Sequence, residues 1–158
     1  MLLVKRSVIE NRYVSEAASA SVQDLVAIRA LLESSGLPTN DLESSRPEFA
    51  VIRENGQVVA AGALQRFGSL ALLRSVVVVS ERRGTGLGQA IVRELERLAR
   101  VARISQVILL TQTAADFFAH QGYHVIERSS APRDIQASEE FRSLCPSSAV
   151  CMSKSPDD

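Results

Sequence analysis

The stretch Val76-Val77-Val78-Val79-Ser80-Glu81-Arg82-Arg83-Gly84-Thr85-Gly86-Leu87-Gly88-Gln89-Ala90-Ile91-Val92 decides the fold. Four β-branched residues in a row predict the end of a buried strand. The alternating glycines predict a loop that can take positive φ and let another group approach the backbone. From there Leu87, Ile91, Leu95, Leu98, Ala99 and Ala102 trace one face of a helix. Strand, glycine loop and helix in that order offer unpaired N–H groups and the positive end of a helix dipole, which suits a phosphate. Two common phosphate motifs nevertheless fail here. A dinucleotide fingerprint needs GxGxxG, and after Gly84 and Gly86 the third glycine, Gly88, comes one position early; a P-loop needs a lysine at the helix start, and none is present. A loop that only reversed the chain would hardly need three alternating glycines preceded by two arginines.

Upstream, Ser21 followed by Asp24 is an acidic variant of a capping box and opens a helix carrying Val22, Leu25, Val26, Ala30, Leu31 and Leu32, closed by Gly36. After Pro38, residues Thr39 to Ser45 are expected to form a second helix or a turn. A strand from Phe49 to Glu54, the hairpin signal Asn55-Gly56, a strand from Gln57 to Leu64, a turn at Gly68-Ser69 and a long strand from Leu70 to Val79 predict an antiparallel meander. Downstream, Val107 to Leu110 predicts a buried strand, Thr113 to Gln121 a helix ended by Gly122, and Tyr123 to Arg128 another strand. Pro132 reads as the first turn of a short helix and Ala149 to Met152 as the last strand. The pattern is α+β with one βαβ crossover, expected as a single domain over residues 1–158. Residues 1–12 are not needed by it and are expected to be an extra strand or a loose arm.

Composition removes several classes of function. The 158 residues are 46% hydrophobic and carry 18 Lys+Arg against 18 Asp+Glu, so no net charge draws the chain to nucleic acid. Aromatic residues, 4% with no Trp, are too few for base stacking. Apolar runs such as Val76 to Val79 fall far short of the ~20 residues a bilayer span needs, so no membrane role is expected. The opening Met1-Leu2-Leu3-Val4-Lys5-Arg6 lacks a secretory pattern, which predicts a cytoplasmic protein. Cys145 and Cys151 form no CxxC pair, and His120 and His124 are the only imidazoles; packing thiols, packed or solvated histidines and no metal site are expected.

The glycine stretch resembles the acyl-coenzyme A signature of the GNAT superfamily of N-acetyltransferases, Gln/Arg-x-x-Gly-x-Gly/Ala, here Arg83-Gly84-Thr85-Gly86-Leu87-Gly88. Its context agrees. In that family a strand and then a helix with the pattern Ala-x-x-Phe-Tyr-x-x-x-Gly-Phe follow, here Ala114-Ala115-Asp116-Phe117-Phe118-Ala119-His120-Gln121-Gly122-Tyr123. With the meander, the likeness covers roughly residues 13–128. Three further segments resemble small GNAT proteins associated with arsenic-resistance gene clusters: Leu31 to Pro38, Ser129 to Pro132 with Phe141, and Leu144 to Met152.

The resemblance implies a GNAT fold: a mixed central sheet with a β-meander, a glycine loop opening the central helix, and flanking helices. It implies acetyl-CoA as co-substrate, a small-molecule amine as acceptor, and is compatible with a homodimer. Backbone N–H groups of Arg83, Gly84, Thr85, Gly86, Leu87, Gly88 and Gln89 would hold the pyrophosphate, with Arg82 and Arg83 able to add charge. Val76, Val77 and Val78 would pair with the pantetheine arm as with another strand, leaving the thioester carbonyl near the Val78 N–H, a donor for a developing oxyanion. Thr111 and Phe118 complete the implied coenzyme contacts.

Strict alternation along Leu70 to Val79 puts Arg74, Val76 and Val78 on one face. In the family the chain resembles, the positions just before the coenzyme-contacting strand residues face the acceptor, so Arg74 is the candidate to hold a substrate carboxylate. The alternative is an internal ion pair with a residue such as Glu54 or Glu43. No residue is marked as the base: Gln65 could orient a water, Glu43 lies in the segment corresponding to the acceptor-lining helix, and Glu33 and Glu48 are further options. Phe118 stands where many GNAT enzymes carry a tyrosine that protonates the leaving thiolate. Tyr123 is expected to turn to the core. A non-catalytic acyl-CoA-binding sensor or assembly module is the competing reading.

Overall fold

In the computed structural model, which describes residues 16–158, the Asp24 carboxylate accepts hydrogen bonds from the Ser21 N–H (2.7 Å) and the Ser21 hydroxyl (3.0 Å). Only half of the expected capping box forms: Asp24 reaches back to Ser21, but helix α1 (Asp24–Ser34) begins at Asp24 itself, with Gln23 as its N-cap and no side-chain cap, and buries Ile28 and Leu32. Gly36 closes the helix at a φ of 72°. The segment after Pro38 ends in one helical turn, α2 (Leu42–Ser45).

The meander is present as β2 (Glu48–Glu54), β3 (Gln57–Phe67) and β4 (Leu70–Val78), each antiparallel to the next. Asn55 and Gly56 both take positive φ, 52° and 77°, the geometry of a type I′ hairpin turn whose twist matches its strands. Helix α3 (Leu87–Val101) then crosses over, and β5 (Gln106–Thr111) lies parallel to β4. After α4 (Ala115–His120), β6 (His124–Ile126) and α5 (Arg133–Gln136), the chain returns as β7 (Val150–Lys154) between β5 and β6. With β1 (Ala17–Ser19) outside β2, the seven-stranded order is β1-β2-β3-β4-β5-β7-β6. Leu87, Ile91 and Leu95 of α3 pack on one face with Ala71 and Leu73; α1 packs on the other with Val51 and Val77, and Ile135 and Phe141 cover that face beside Leu72 and Ile108.

Several expected boundaries move. β3 runs on to Phe67, β4 stops at Val78 because a 3₁₀ turn begins at Ser80, and β6 ends at Ile126, with Arg128 opening another such turn. The helix expected over Thr113 to Gln121 spans Ala115–His120, and the last strand starts one residue late and extends to Lys154. β1 and a five-residue π-turn at Glu140–Leu144 have no counterpart in the sequence pattern. Residues 1–12 lie outside the described part.

The largest correction concerns the faces of β4. Ala61 pairs with Val77 and Ala63 with Arg74, so Gly62 alone opposes Ser75 and Val76. Ser75 takes a φ of 59°, and the extra residue is a β-bulge. Ala71 and Leu73 before the bulge and Val76 and Val78 after it all meet the α3 core, whereas Val77 meets α1. Arg74 therefore lies opposite Val76 and Val78, not beside them. Gly62 is what lets α3 sit against this bend, since a Cβ there would meet Ile91 Cγ2 at 2.5 Å.

Candidate active site

β4 and β5 pair only over Leu70–Leu72 and Gln106–Ile108, and beyond Leu72, ahead of the bulge, they part. The result is a wedge in the middle of the sheet. On the β3 side, the Val79 N–H bonds to the Val59 carbonyl at 2.9 Å. Alternation then turns the Val78 N–H and C=O toward the wedge, where Arg83 Nε donates to that carbonyl at 3.2 Å. Val77 faces β3 with its backbone and α1 with its side chain, so of the three valines only Val76 and Val78 present themselves to the opening.

The glycine loop closes one end of the wedge. Gly84 and Gly86 take φ of 76° and 90°, and a Cβ at either would meet nothing within 4 Å, so the loop is held open by conformation and not by crowding. The first intrahelical bond of α3 runs from the Ala90 N–H to the Gly86 carbonyl (3.1 Å), which leaves the N–H groups of Leu87, Gly88 and Gln89 without helical partners. The Leu87 side chain itself is buried in the core. Thr85 Oγ1 donates to the Arg82 carbonyl at 2.5 Å and firms the turn. Arg82 is committed to Glu54 through two bonds of 2.7 and 2.6 Å, while Arg83 stays exposed beside the loop. These donors, the open glycines and the free strand edge fit a nucleotide diphosphate with a long amide-bearing arm.

At the other end is a cavity of about 350 Å³ lined by Leu73 to Val76 of β4, Leu109 to Ala114 after it, Phe117 and Phe118 of α4, and Glu140 and Cys145. Its charged wall is buried. Arg74 donates through Nη1 and Nη2 to Asp41 at 2.5 and 2.6 Å and through Nη1 to Gln65 Oε1 at 3.1 Å. Burial resists ionisation of Asp41, but the hydrogen bonds and charge of Arg74 outweigh it and hold the carboxyl below its usual range. Among the described residues Arg74 Nε and Glu140 Oε2 are buried without a partner. Burial pushes the Glu140 carboxyl up to about 7, with Arg74 drawing it back and Asp41 adding to the rise. Burial, then Glu140, pushes the Cys145 thiol up to about 12.

The structure thus brings Val76, Arg74, Thr111 and Phe118 to one cavity and leaves other candidates outside. Thr111 Oγ1 accepts the Ala114 N–H at 3.0 Å and caps the turn into α4. Arg74 is ion-paired, with Asp41 in place of Glu54 or Glu43. Glu43 is exposed, bonded to Arg29, and does not line this cavity. Gln65 accepts from Arg74 through Oε1 and is not among the residues that line the cavity. Glu33 accepts from Thr39, and Glu48 pairs with Arg66. Glu140 is the residue that sequence reading missed. It sits in a π-turn with no apolar period to mark it.

The aromatic residues of α4 and Tyr123 pack together. Phe118 meets Phe117 and Tyr123 edge to face, with centroids 5.0 and 5.7 Å apart. Tyr123 is buried in the core, its hydroxyl donating to Glu96 at 3.3 Å, and burial and then Glu96 raise its phenol far above the usual range. His120 and His124 are exposed, both cysteines are free thiols, and no cluster of metal-ligating side chains occurs among the described residues. No helix there is long and apolar enough to cross a membrane.

The model of the GNAT acetyltransferase domain matches residues 45–125, about half of the chain, from β2's approach to β6. The chain belongs to the GNAT acetyltransferase family. It is 32% identical over 89 residues to an uncharacterised N-acetyltransferase of Chlorobaculum tepidum, covering 56% of this chain and 57% of that one. To the amino-acid acetyltransferase of Mycobacterium tuberculosis it is 36% identical over 81 residues, covering 51% and 46%. The chain spans about half the length of the curated relatives it matches. Among solved structures, a Mycobacterium tuberculosis protein in complex with CoA and NLQ superposes with a TM-score of 0.76 at 26% identity, covering 88% of this chain and 98% of that one. The N-acetylglutamate synthase of Neisseria gonorrhoeae, complexed with coenzyme A and L-arginine, shares the fold at 19% identity with a TM-score of 0.74, covering 89% of this chain and 32% of that one. GNAT acetyltransferases use acetyl-CoA as co-substrate, and the GNAT fold read from the sequence is the fold observed.

Proposed function

We propose that this chain is an N-acetyltransferase that moves an acetyl group directly from acetyl-CoA to the amine of a small molecule, an amino acid or an amino-acid analogue. The observation that carries the reading is the parting of β4 from β5 between a phosphate-suited loop and a cavity walled by buried charge, with Phe117 lining the cavity and lying against Gly88 of the loop. Acetyl-CoA, when bound, supplies an acetyl group activated as a thioester. The N–H groups of Leu87, Gly88 and Gln89 would hold its pyrophosphate, aided by the α3 dipole and by exposed Arg83. The Val78 N–H is a fixed donor at the strand edge, suited to charge that develops on a carbonyl oxygen. Arg74 Nε supports a carboxylate-bearing acceptor, since a buried donor without a partner is unfavourable until a ligand meets it.

The resemblance of the C-terminal segment is the reason to test an arsenic-containing amino-acid analogue as acceptor, beside ordinary amino acids and other amines. Free thiols at Cys145 and Cys151 suit a reducing, cytoplasmic setting. Release of free thiol from acetyl-CoA against that panel tests the function; transfer to at least one amine is expected. The competing reading, a non-catalytic acyl-CoA-binding module, rests on α4 presenting Phe118 and no phenol to the cavity. Tight acetyl-CoA binding with no thiol release from any amine would favour it.

A further inference from the structure

Glu140 is only 6% exposed, yet it forms part of the cavity wall. Its Oε2 has no partner among the described residues. The groups that face it are Arg74 from β4, Asp41 from the loop ahead of α2, and the Cys145 thiol at the end of its own turn. Arg74 and Asp41 cancel as a bidentate pair, so the net charge of the cluster is that of Glu140, neutral while it holds its proton and negative once it is ionised. Cys145, kept protonated, can donate to Glu140 and leaves Oε2 for a ligand. The carboxylates weighed for this role are occupied, Glu43 by Arg29, Glu33 by Thr39 and Glu48 by Arg66, and Asp41 is taken up by Arg74.

We propose that Glu140 is the general base of the transfer, its Oε2 taking one proton from the acceptor's ammonium. This rests on the N-acetyltransferase reading above. The step is balanced: an ammonium and a carboxylate become a neutral amine and a carboxylic acid, the N–H electron pair stays on nitrogen as the attacking lone pair, and the proton later leaves to solvent through the cavity. A base is most effective when its own pKa lies near the working pH, and burial sets Glu140 there. The same carboxylate selects for acceptors that arrive as ammonium ions.

The test is the pH profile of kcat/KM for Glu140→Gln with two acceptors, an α-amino acid and an amine basic so weakly that it is already neutral in the assay. Acetyl-CoA affinity by calorimetry should be unchanged. For the amino acid, kcat/KM at neutral pH should fall on the order of 10²-fold or more, with the limb near pH 7 replaced by a climb toward the amine's own pKa. The loss should largely vanish with the neutral amine. Equal losses for both amines with an unaltered profile would make Glu140 structural and overturn the proposal. If the variant does not fold, carboxyl NMR of wild-type protein labelled in glutamate should still find one carboxyl titrating near neutrality; all of them titrating below about pH 5 would overturn it. A wild-type protein that binds acetyl-CoA and releases no thiol with any amine would remove the transferase reading and the base together, whereas an active wild type with an indifferent Glu140→Gln removes the base alone.

Discussion

Arg74 grips Asp41 through two parallel hydrogen bonds of 2.5 and 2.6 Å, with both side chains almost wholly buried. The pair ties the loop ahead of α2 to β4 at the residue before the bulge. Taking one partner from a buried pair leaves a charge with no compensation, which is typically worth roughly 3–5 kcal/mol. Asp41→Asn should lower unfolding free energy by about that amount in urea denaturation, and Asp41→Leu with Arg74→Met should recover much of it. A loss well under about 1 kcal/mol, the range of exposed pairs, would show the pair to be solvated.

If the free Nε of Arg74 receives the acceptor's carboxylate, then Arg74→Ala should raise acceptor KM about tenfold or more while acetyl-CoA KM moves little. Steady-state kinetics with an amino acid and its carboxylate-free amine decide the matter. Equal effects on the two would make Arg74 a scaffold for Asp41 only.

Gly86 and Gly56 form a matched pair for the coenzyme site. Both have positive φ, 90° and 77°, and open space where a Cβ would go, so a valine at either strains the backbone similarly. Only Gly86 borders the α3 N-terminus. Gly86→Val should weaken acetyl-CoA binding by about tenfold or more in calorimetry, and Gly56→Val should leave it unchanged. Unchanged affinity in folded Gly86→Val would move the phosphate site elsewhere.

Tyr123 gives its hydroxyl to Glu96, which also pairs with Lys154 at 2.9 Å. Tyr123→Phe should cost about 1 kcal/mol of stability and leave the rate of transfer nearly unchanged. A thiol with a pKa of about 8.5 leaves tolerably as thiolate near neutral pH without a dedicated acid. Phe118→Tyr, which places a phenol at the cavity, should raise the rate by up to about 10²-fold. A rate lost in Tyr123→Phe at unchanged melting temperature and coenzyme affinity would make Tyr123 the acid.

Burial raises Glu140 from 4.5 to about 7, and the sign for stability follows from the order in which the two states ionise. As pH climbs through this window the unfolded chain gives up the proton first, so the folded state loses stability until about pH 7 and then levels off. Glu140→Gln removes that slope. Its melting temperature should match wild type near pH 4.5 and exceed it at pH 8, by an amount equivalent to roughly 3 kcal/mol at most. Parallel melting curves across the range would mean that Glu140 is ionised without penalty in the fold.

The meander, the crossover helix and the glycine loop were legible because each rests on local signals: the Asn55-Gly56 turn, the apolar stripe from Leu87 to Ala99, and the Gly84-Thr85-Gly86 run. Tyr123 could be placed in the core from its motif position. The face of Arg74 could not, because alternation assumes an unbroken pleat, and nothing in the local sequence marks the extra residue at Ser75 opposite Gly62. Asp41 and Glu140 were illegible for a related reason. They lie 33 and 66 positions from Arg74 in segments without periodicity, and only the folded sheet brings them together. Local chemistry thus revealed the coenzyme end of the wedge, and long-range topology made the acceptor end.

Three register pairs are all that join β4 to β5, so the two halves of the sheet meet along a short seam, and beyond it they rely on the helices that bridge their faces and on what lies between them. On the proposed function, what lies between them is acetyl-CoA. The metabolite then belongs to the folded architecture while it is bound, and thermodynamic linkage makes occupancy and resistance to unfolding a single equilibrium: at a free concentration a hundred times Kd the folded state gains about 2.7 kcal/mol. Resistance of the folded chain to added protease should accordingly rise with acetyl-CoA occupancy, the coenzyme acting as a removable structural strut.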